Sequence, residues 1–167
     1  MHEELLARAS KGDKAAFGEI VDIYYKDAYI FALSITGNVH DAMDVCQESF
    51  VKAYKSLKRL KEPDRFKSWM MKIVSNTSKD IFRSRKQSVP ETEELLEVFE
   101  DTSLLERIDL YEALMRIKAE YRQVLVLRFL NDLKISDVAK VLRIPQNTVK
   151  SRIRYALEQT RIVMEGR

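Results

Sequence analysis

Cysteine is nearly absent from this sequence. Cys46 stands alone and the two histidines, His2 and His40, are too few to make up the difference, so neither an internal disulfide nor a Cys-based zinc site is available. Glycine (4) and proline (3) are scarce in 167 residues, which disfavours sheets with tight hairpins and Gly-rich phosphate loops and leaves a mostly helical protein as the expectation. No run approaches the ~20 apolar residues of a membrane span, and the N-terminal MHEELLARAS has no apolar signal core. The expectation is a cytoplasmic protein without membrane insertion. With 46% hydrophobic and 33% charged residues, the chain has material for a core and too much of it for a disordered tail.

Net charge is only +3, an average that conceals segmentation. Residues 1–51 carry 4 basic and 9 acidic groups, and residues 52–86 carry 12 basic and 3 acidic. Residues 87–105 hold six acids and no base, and residues 106–167 hold 13 basic and 8 acidic groups. Two basic segments thus flank an acidic one, the footprint of a polyanion binder. The acidic stretch, with Pro90 and several hydroxyl residues, has little apolar period and reads as a linker. It divides the chain into modules 1–86 and 106–167, each large enough for a small helical core.

Apolar spacing supports helices throughout. Phe17, Ile20, Val21, Tyr24, Ala28, Phe31, Ala32 and Ile35 recur every three or four residues and end near Gly37. Over 41–57, Ala42, Val45, Cys46, Ser49, Ala53 and Leu57 share one face, while Asp41, Asp44, Gln47, Glu48, Val51 and Lys55 share the other. Cys46 therefore reads as a small buried hydrophobe rather than a reactive thiol. After the Pro63 loop, Phe66, Trp69, Met70, Ile73, Val74, Thr77 and Ile81 define a third buried face, with Met71 and Phe82 on the outside. In the second module Leu105, Ile108, Tyr111 and Met115 predict one helix, and YRQVLVLRFL (121–130) a more buried one.

Three surfaces carry chemistry. ISDVAKVLRIPQNTVKSRIRYAL (135–157) has the form of a helix-turn-helix: a short helix with small Ala139, a turn, then a basic helix. Ser136 is available as a cap and Pro145 suits the first turn. Val149, Ile153, Ala156 and Leu157 point inward, while Asn147, Ser151 and Arg154 point out with Lys150 and Arg152 on the flanks. These are side chains suited to duplex base edges and phosphates. Arg143 stands where such turns commonly have glycine, so the expectation is a distorted turn. On the third helix Lys72, Asn76, Lys79 and Arg83 form a stripe beside Trp69. Cations for phosphates next to an aromatic that can stack a base suit a single strand. The outward acids Asp41, Asp44 and Glu48, with Gln47, have no His, metal-ligand set or Gly-rich loop beside them in sequence, so a surface for a basic protein partner is the better assignment than catalysis.

On these residues the chain resembles bacterial sigma factors of the sigma-70 family, in the short extracytoplasmic-function (ECF) group. DAMDVCQESFVKAY (41–54) is similar to the family's core-polymerase-binding helix, FKSWMMKIVSNTSKDIFRSRK (66–86) to its promoter-melting helix, and IPQNTVKSRIRYA (144–156) to its minus-thirty-five-reading helix. The resemblance implies an all-α protein of two helical domains, sigma region 2 (1–86) and region 4 (106–167). It implies that Asp41, Asp44, Gln47 and Glu48 grip core RNA polymerase. It implies that Phe66, Trp69, Lys72, Asn76, Lys79 and Arg83, with loop 60–65, separate the minus-ten strands and hold the melted non-template strand. Asn147, Lys150, Ser151, Arg152 and Arg154 would then engage promoter duplex at the minus-thirty-five element. An anti-sigma factor is a further partner that many relatives have. No catalytic residue, metal, cofactor or small-molecule substrate is expected. Met43 departs from the family pattern, where an acid is frequent. The alternative is a stand-alone dimeric helix-turn-helix regulator.

Overall fold

A computed structural model describes residues 2–84 and 104–166, with no side-chain account of Phe82, Ser84 or 104–108. The acidic segment read as a linker lies largely outside the described residues. Among the described residues eight helices follow one another: α1 (His2–Ser10), α2 (Lys14–Thr36), α3 (Val39–Ser56), α4 (Phe66–Ser84), α5 (Leu104–Arg116), α6 (Ala119–Leu125), α7 (Ile135–Leu142) and α8 (Gln146–Glu165). Short 3-10 turns at Leu57–Arg59 and Pro63–Arg65 separate α3 from α4, and α6 runs on through a π-helical turn at Val126–Leu130. Among the described residues there is no strand.

Helix boundaries follow from local chemistry. Asp13 caps α2 by accepting from the Ala16 N–H at 3.0 Å, and its carboxylate also takes two hydrogen bonds from Arg8. Gly37, at φ 75°, ends α2 by supplying the left-handed residue that returns a hydrogen bond to Leu33. One residue later Asn38 starts α3: its side chain accepts from the Asp41 N–H at 2.9 Å and donates to the Asp41 carboxylate at 2.8 Å. The two helices therefore turn back on each other through two residues.

In the N-terminal half, α2, α3 and α4 bury Ile20, Phe31, Val45, Phe66, Met70 and Val74 to 1% exposure or less. Every residue placed on the inward face of α3 is buried. Met71 is a correction: expected outside, it is fully buried, because α7 as well as α2 and α3 packs on α4 and widens its apolar arc. In the C-terminal half, Val124, Leu127, Val138, Val141, Val149 and Ala156 form the centre. Leu157, expected inward, is 49% exposed, because the buried face of α8 at this level is narrow and is filled by Ala156 and Thr160. Ser136 is not a cap; α7 begins one residue earlier, with Lys134 at its N-cap and no side-chain cap. Pro145 is the N-cap of α8 rather than its first helical residue.

The two halves touch directly. α2 packs on α6 and the π-helical turn, α4 packs on α7, and one apolar cluster runs through both.

Candidate protein and nucleic-acid interfaces

The acidic surface is built on the outer face of α3. Gln47 and Glu48 are exposed, and Asp41 and Asp44 are half-buried. Asp41 is engaged by the Asn38 side chain, and Glu48 is paired with Lys52 at 3.0 Å. Sequence reasoning did not single out their neighbours as binding residues, yet Met43, between Asp41 and Asp44, and Val51, one turn beyond Glu48, are exposed at 44% and 51%. Exposed apolar groups beside a run of acids are the composition of a protein-binding patch rather than a solvated face. Cys46 lies beneath this surface without exposure, and burial pushes its thiol up to about 12, so it is an inert packing group.

The basic surface lies next to it. Lys52 of α3 donates to the Thr77 hydroxyl of α4 at 3.3 Å and lies 3.8 Å from Asp80, which ties the two helices together. Along α4, Lys72, Lys79 and Arg83 are exposed, and Trp69 and Asn76 are half-buried. Phe66 departs from the expected DNA-facing set: it is 1% exposed, its ring tilted against Tyr24 at 4.9 Å and against Trp69 at 5.7 Å. It enters the core as the first residue of the apolar face that the spacing of α4 predicts, shared with Met70 and Val74. Trp69 lines a groove of about 240 Å³ together with Leu60, Arg65 and Lys72 on its own half and Lys140 and Val141 of α7. Exposed Arg59 and Lys61 border the same groove. Arg59 was not among the residues read from the sequence, because it lies outside the helical stripe.

The third surface is the helix-turn-helix. Arg143 adopts the left-handed conformation at φ 56°, with its own N–H and that of Ile144 both returning to the Ala139 carbonyl. The turn is therefore regular, not distorted, and holds an arginine where glycine is cheaper. Val149 anchors α8 without exposure, and Asn147, Lys150, Ser151 and Arg154 are exposed along its first turns. Arg152 is only partly available, since its guanidinium pairs with Glu120 of α6 at 3.2 Å. Arg143 itself adds an exposed cation at the tip of the turn. Among the described residues no helix is long and apolar enough to cross a membrane.

Two family models cover these surfaces: sigma-70 region 2 matches residues 20–88, and sigma-70 region 4 matches residues 107–159. This chain belongs to the sigma-70 family. Among its relatives, the ECF RNA polymerase sigma factor SigW of Bacillus subtilis is 30% identical, over 96% of this chain and 95% of SigW. The RNA polymerase sigma factor SigV of the same organism is 33% identical, over 89% of this chain and 91% of SigV. Among solved structures, CnrH in complex with the cytosolic domain of CnrY superposes with a TM-score of 0.73 at 26% identity, covering 99% of this chain and 97% of CnrH. RpoE of Bartonella quintana, solved with the anti-sigma factor NepR, shares the fold at the same TM-score and 20% identity, over 89% of this chain and 96% of RpoE. The chain is an ECF sigma factor, and the region 2 match spans both the acidic and the basic surface while the region 4 match spans the helix-turn-helix.

Proposed function

We propose that this sigma factor divides its work among the three surfaces, within functional domains 1–86 and 106–167. The α3 surface docks on a basic face of core RNA polymerase through Asp44, Gln47 and Glu48, with Met43 and Val51 supplying apolar contact and Asp41 holding the start of the helix. Helix α8 enters the major groove of the minus-thirty-five duplex with Asn147, Lys150, Ser151 and Arg154. Arg143 contacts the backbone, and Arg152 contributes after leaving Glu120. On α4, Trp69 stacks an unpaired non-template base while Lys72, Lys79 and Arg83 follow the phosphates and Asn76 lies between them; Phe66 supports Trp69 from below.

The observation that supports this division is the lateral joining of α3 and α4 through Lys52, so that the acidic and the basic surface stand on adjacent helices of one half. Docking then delivers the basic groove to the promoter at a fixed angle. Binding energy, rather than covalent chemistry, separates the strands: stacking a flipped base offsets the unpairing of a step. The protein works in the cytoplasm, as a polymerase subunit without a catalytic group of its own. An anti-sigma factor belongs to the same proposal, since CnrH and RpoE are each solved with a protein partner.

Transcription from a promoter library with purified core polymerase, with and without the protein, tests the assignment. Start sites that need the protein and share two upstream elements at fixed spacing are the expected result. Tight duplex binding as a dimer, with no new starts, would instead indicate a stand-alone regulator.

A further inference from the structure

The surfaces assigned to the two promoter elements are packed into one body, and the promoter does not let them stay there. A compact chain of this length has a radius of gyration of about 15 Å, so its diameter is roughly 40 Å. Elements centred near minus ten and minus thirty-five lie roughly 25 base pairs apart, about 85 Å of duplex. The halves must therefore part for α4 and α8 to reach both, and the question is what holds them closed beforehand.

We propose that Arg122 is a reversible clasp that keeps the sigma factor closed, with α7 held against the strand-capturing groove of α4 until the halves separate. This inference rests on the assignment of α4 made above. From α6, Arg122 donates through Nε to the Ser34 carbonyl in the last turn of α2 at 2.5 Å, and through Nη1 to the Ile117 carbonyl just beyond α5 at 3.3 Å. It thus sits where the negative ends of two helix dipoles converge, one from each half. Its recorded acceptors are backbone carbonyls, and burial lowers its pKa while leaving it charged. A cation held by carbonyls loses much of its hydration on closure and regains it on opening, so the contact favours closure without making it permanent. Beside it the seam opens to solvent as a groove of about 390 Å³ between Ile30 and Leu33 of α2 and Tyr111 and Leu114 of α5, so water can reach the joint.

Two lesser ties close the same seam. Asn131 donates to the Asp27 carbonyl at 3.1 Å, and Arg65 of the melting loop pairs with Asp137 of α7 at 3.2 Å. The second bears on function directly, since Lys140 and Val141 of the same helix wall the groove that holds Trp69 and Lys72. In the closed form one flank of that groove is already occupied by protein.

The test uses the full chain. Spin labels on Glu19→Cys and Glu165→Cys report the separation of α2 and α8 by double electron–electron resonance; the buried Cys46 does not compete for label. The variants are Arg122→Met and, because a seam substitution can weaken folding, the milder Asp137→Ala in the half-exposed pair. Binding of a short labelled single strand is followed in parallel by anisotropy, and the helical signal and melting curve check the fold. The expected result is a short distance in the parent, a longer and broader distribution in both variants, and about fivefold tighter single-strand binding as the competent population grows. Unchanged distances in both variants would overturn the clasp. Longer distances with unchanged affinity, while Trp69→Ala still abolishes open complexes in the holoenzyme, would overturn the masking and leave the assignment of α4 standing. Open complexes that survive Trp69→Ala would remove that assignment, and this inference with it.

Discussion

The buried ring of Phe66 lies 5.7 Å from that of Trp69, with the two planes inclined at 43°. Phe66 begins α4 and Trp69 follows three residues later, so the pair shares one helix face and one ring supports the other. Removing the support is predicted to act on two levels. Phe66→Ala should cost about 3–5 kcal/mol of stability as a large core truncation. Phe66→Leu should cost less than about 1.5 kcal/mol and keep the fold. It should nevertheless slow promoter opening, because Trp69 loses the edge that fixes its ring. Melting curves and the rate of open-complex formation on one promoter check both.

Asp13 ties α1 to α2. The Ala16 N–H and the Arg8 guanidinium hold its carboxyl below the ordinary value of 3.8. A lowered folded pKa means that the contribution is complete above that ordinary value and is lost as pH falls through the lower folded value. Asp13→Asn keeps a cap acceptor but gives up the ion pair, so its melting temperature should lie below the parent's at neutral pH and converge on it in strong acid. Thermal melts across the acid range check this.

Arg143 adopts the left-handed conformation that glycine takes at little cost. Arg143→Gly should stabilise the C-terminal half by roughly 1 kcal/mol from relieved strain, less a part for the extra freedom of the unfolded chain. It should also weaken duplex binding modestly and reduce its salt dependence, since one phosphate contact is lost. Chemical denaturation and salt-titrated binding separate the two effects.

Asp44 sits at the middle of the acidic stripe, half-buried on α3 beside exposed Met43. Asp44→Arg should reduce affinity for core polymerase by at least about tenfold, because like charges set against each other cost several kcal/mol. Duplex binding by α8 should not change. Competition between labelled parent and variant for core polymerase reads the first effect, and a gel shift reads the second.

Much of this was legible in the sequence because helices announce themselves by period. The inward face of α3 and the inward Val149 of α8 follow from three- and four-residue spacing alone, and both surfaces of opposite charge were visible as segments. What the sequence hid was tertiary. Met71 is buried because α7, from the other half of the chain, covers a second flank of α4. Phe66 is buried, as its spacing along α4 predicts, and only the resemblance had set it among the DNA-facing residues. Arg152 reads as a flanking cation from α8 alone, and its pairing with Glu120 of α6 is a tertiary contact that spacing does not reveal. The role of Arg122 had no signal at all: its partners are backbone carbonyls, which no residue type reveals.

The central claim is the division of labour between α8 and α4, and one paired measurement addresses it. Arg154→Ala and Trp69→Ala holoenzymes are compared on the same promoter, with duplex binding read by gel shift and strand separation by permanganate reactivity of unpaired thymines. The expected result is weakened duplex binding for Arg154→Ala, with strand separation reduced in proportion, and unchanged duplex binding but lost permanganate reactivity for Trp69→Ala. Equal loss of reactivity in both, with duplex binding untouched in both, would contradict the account.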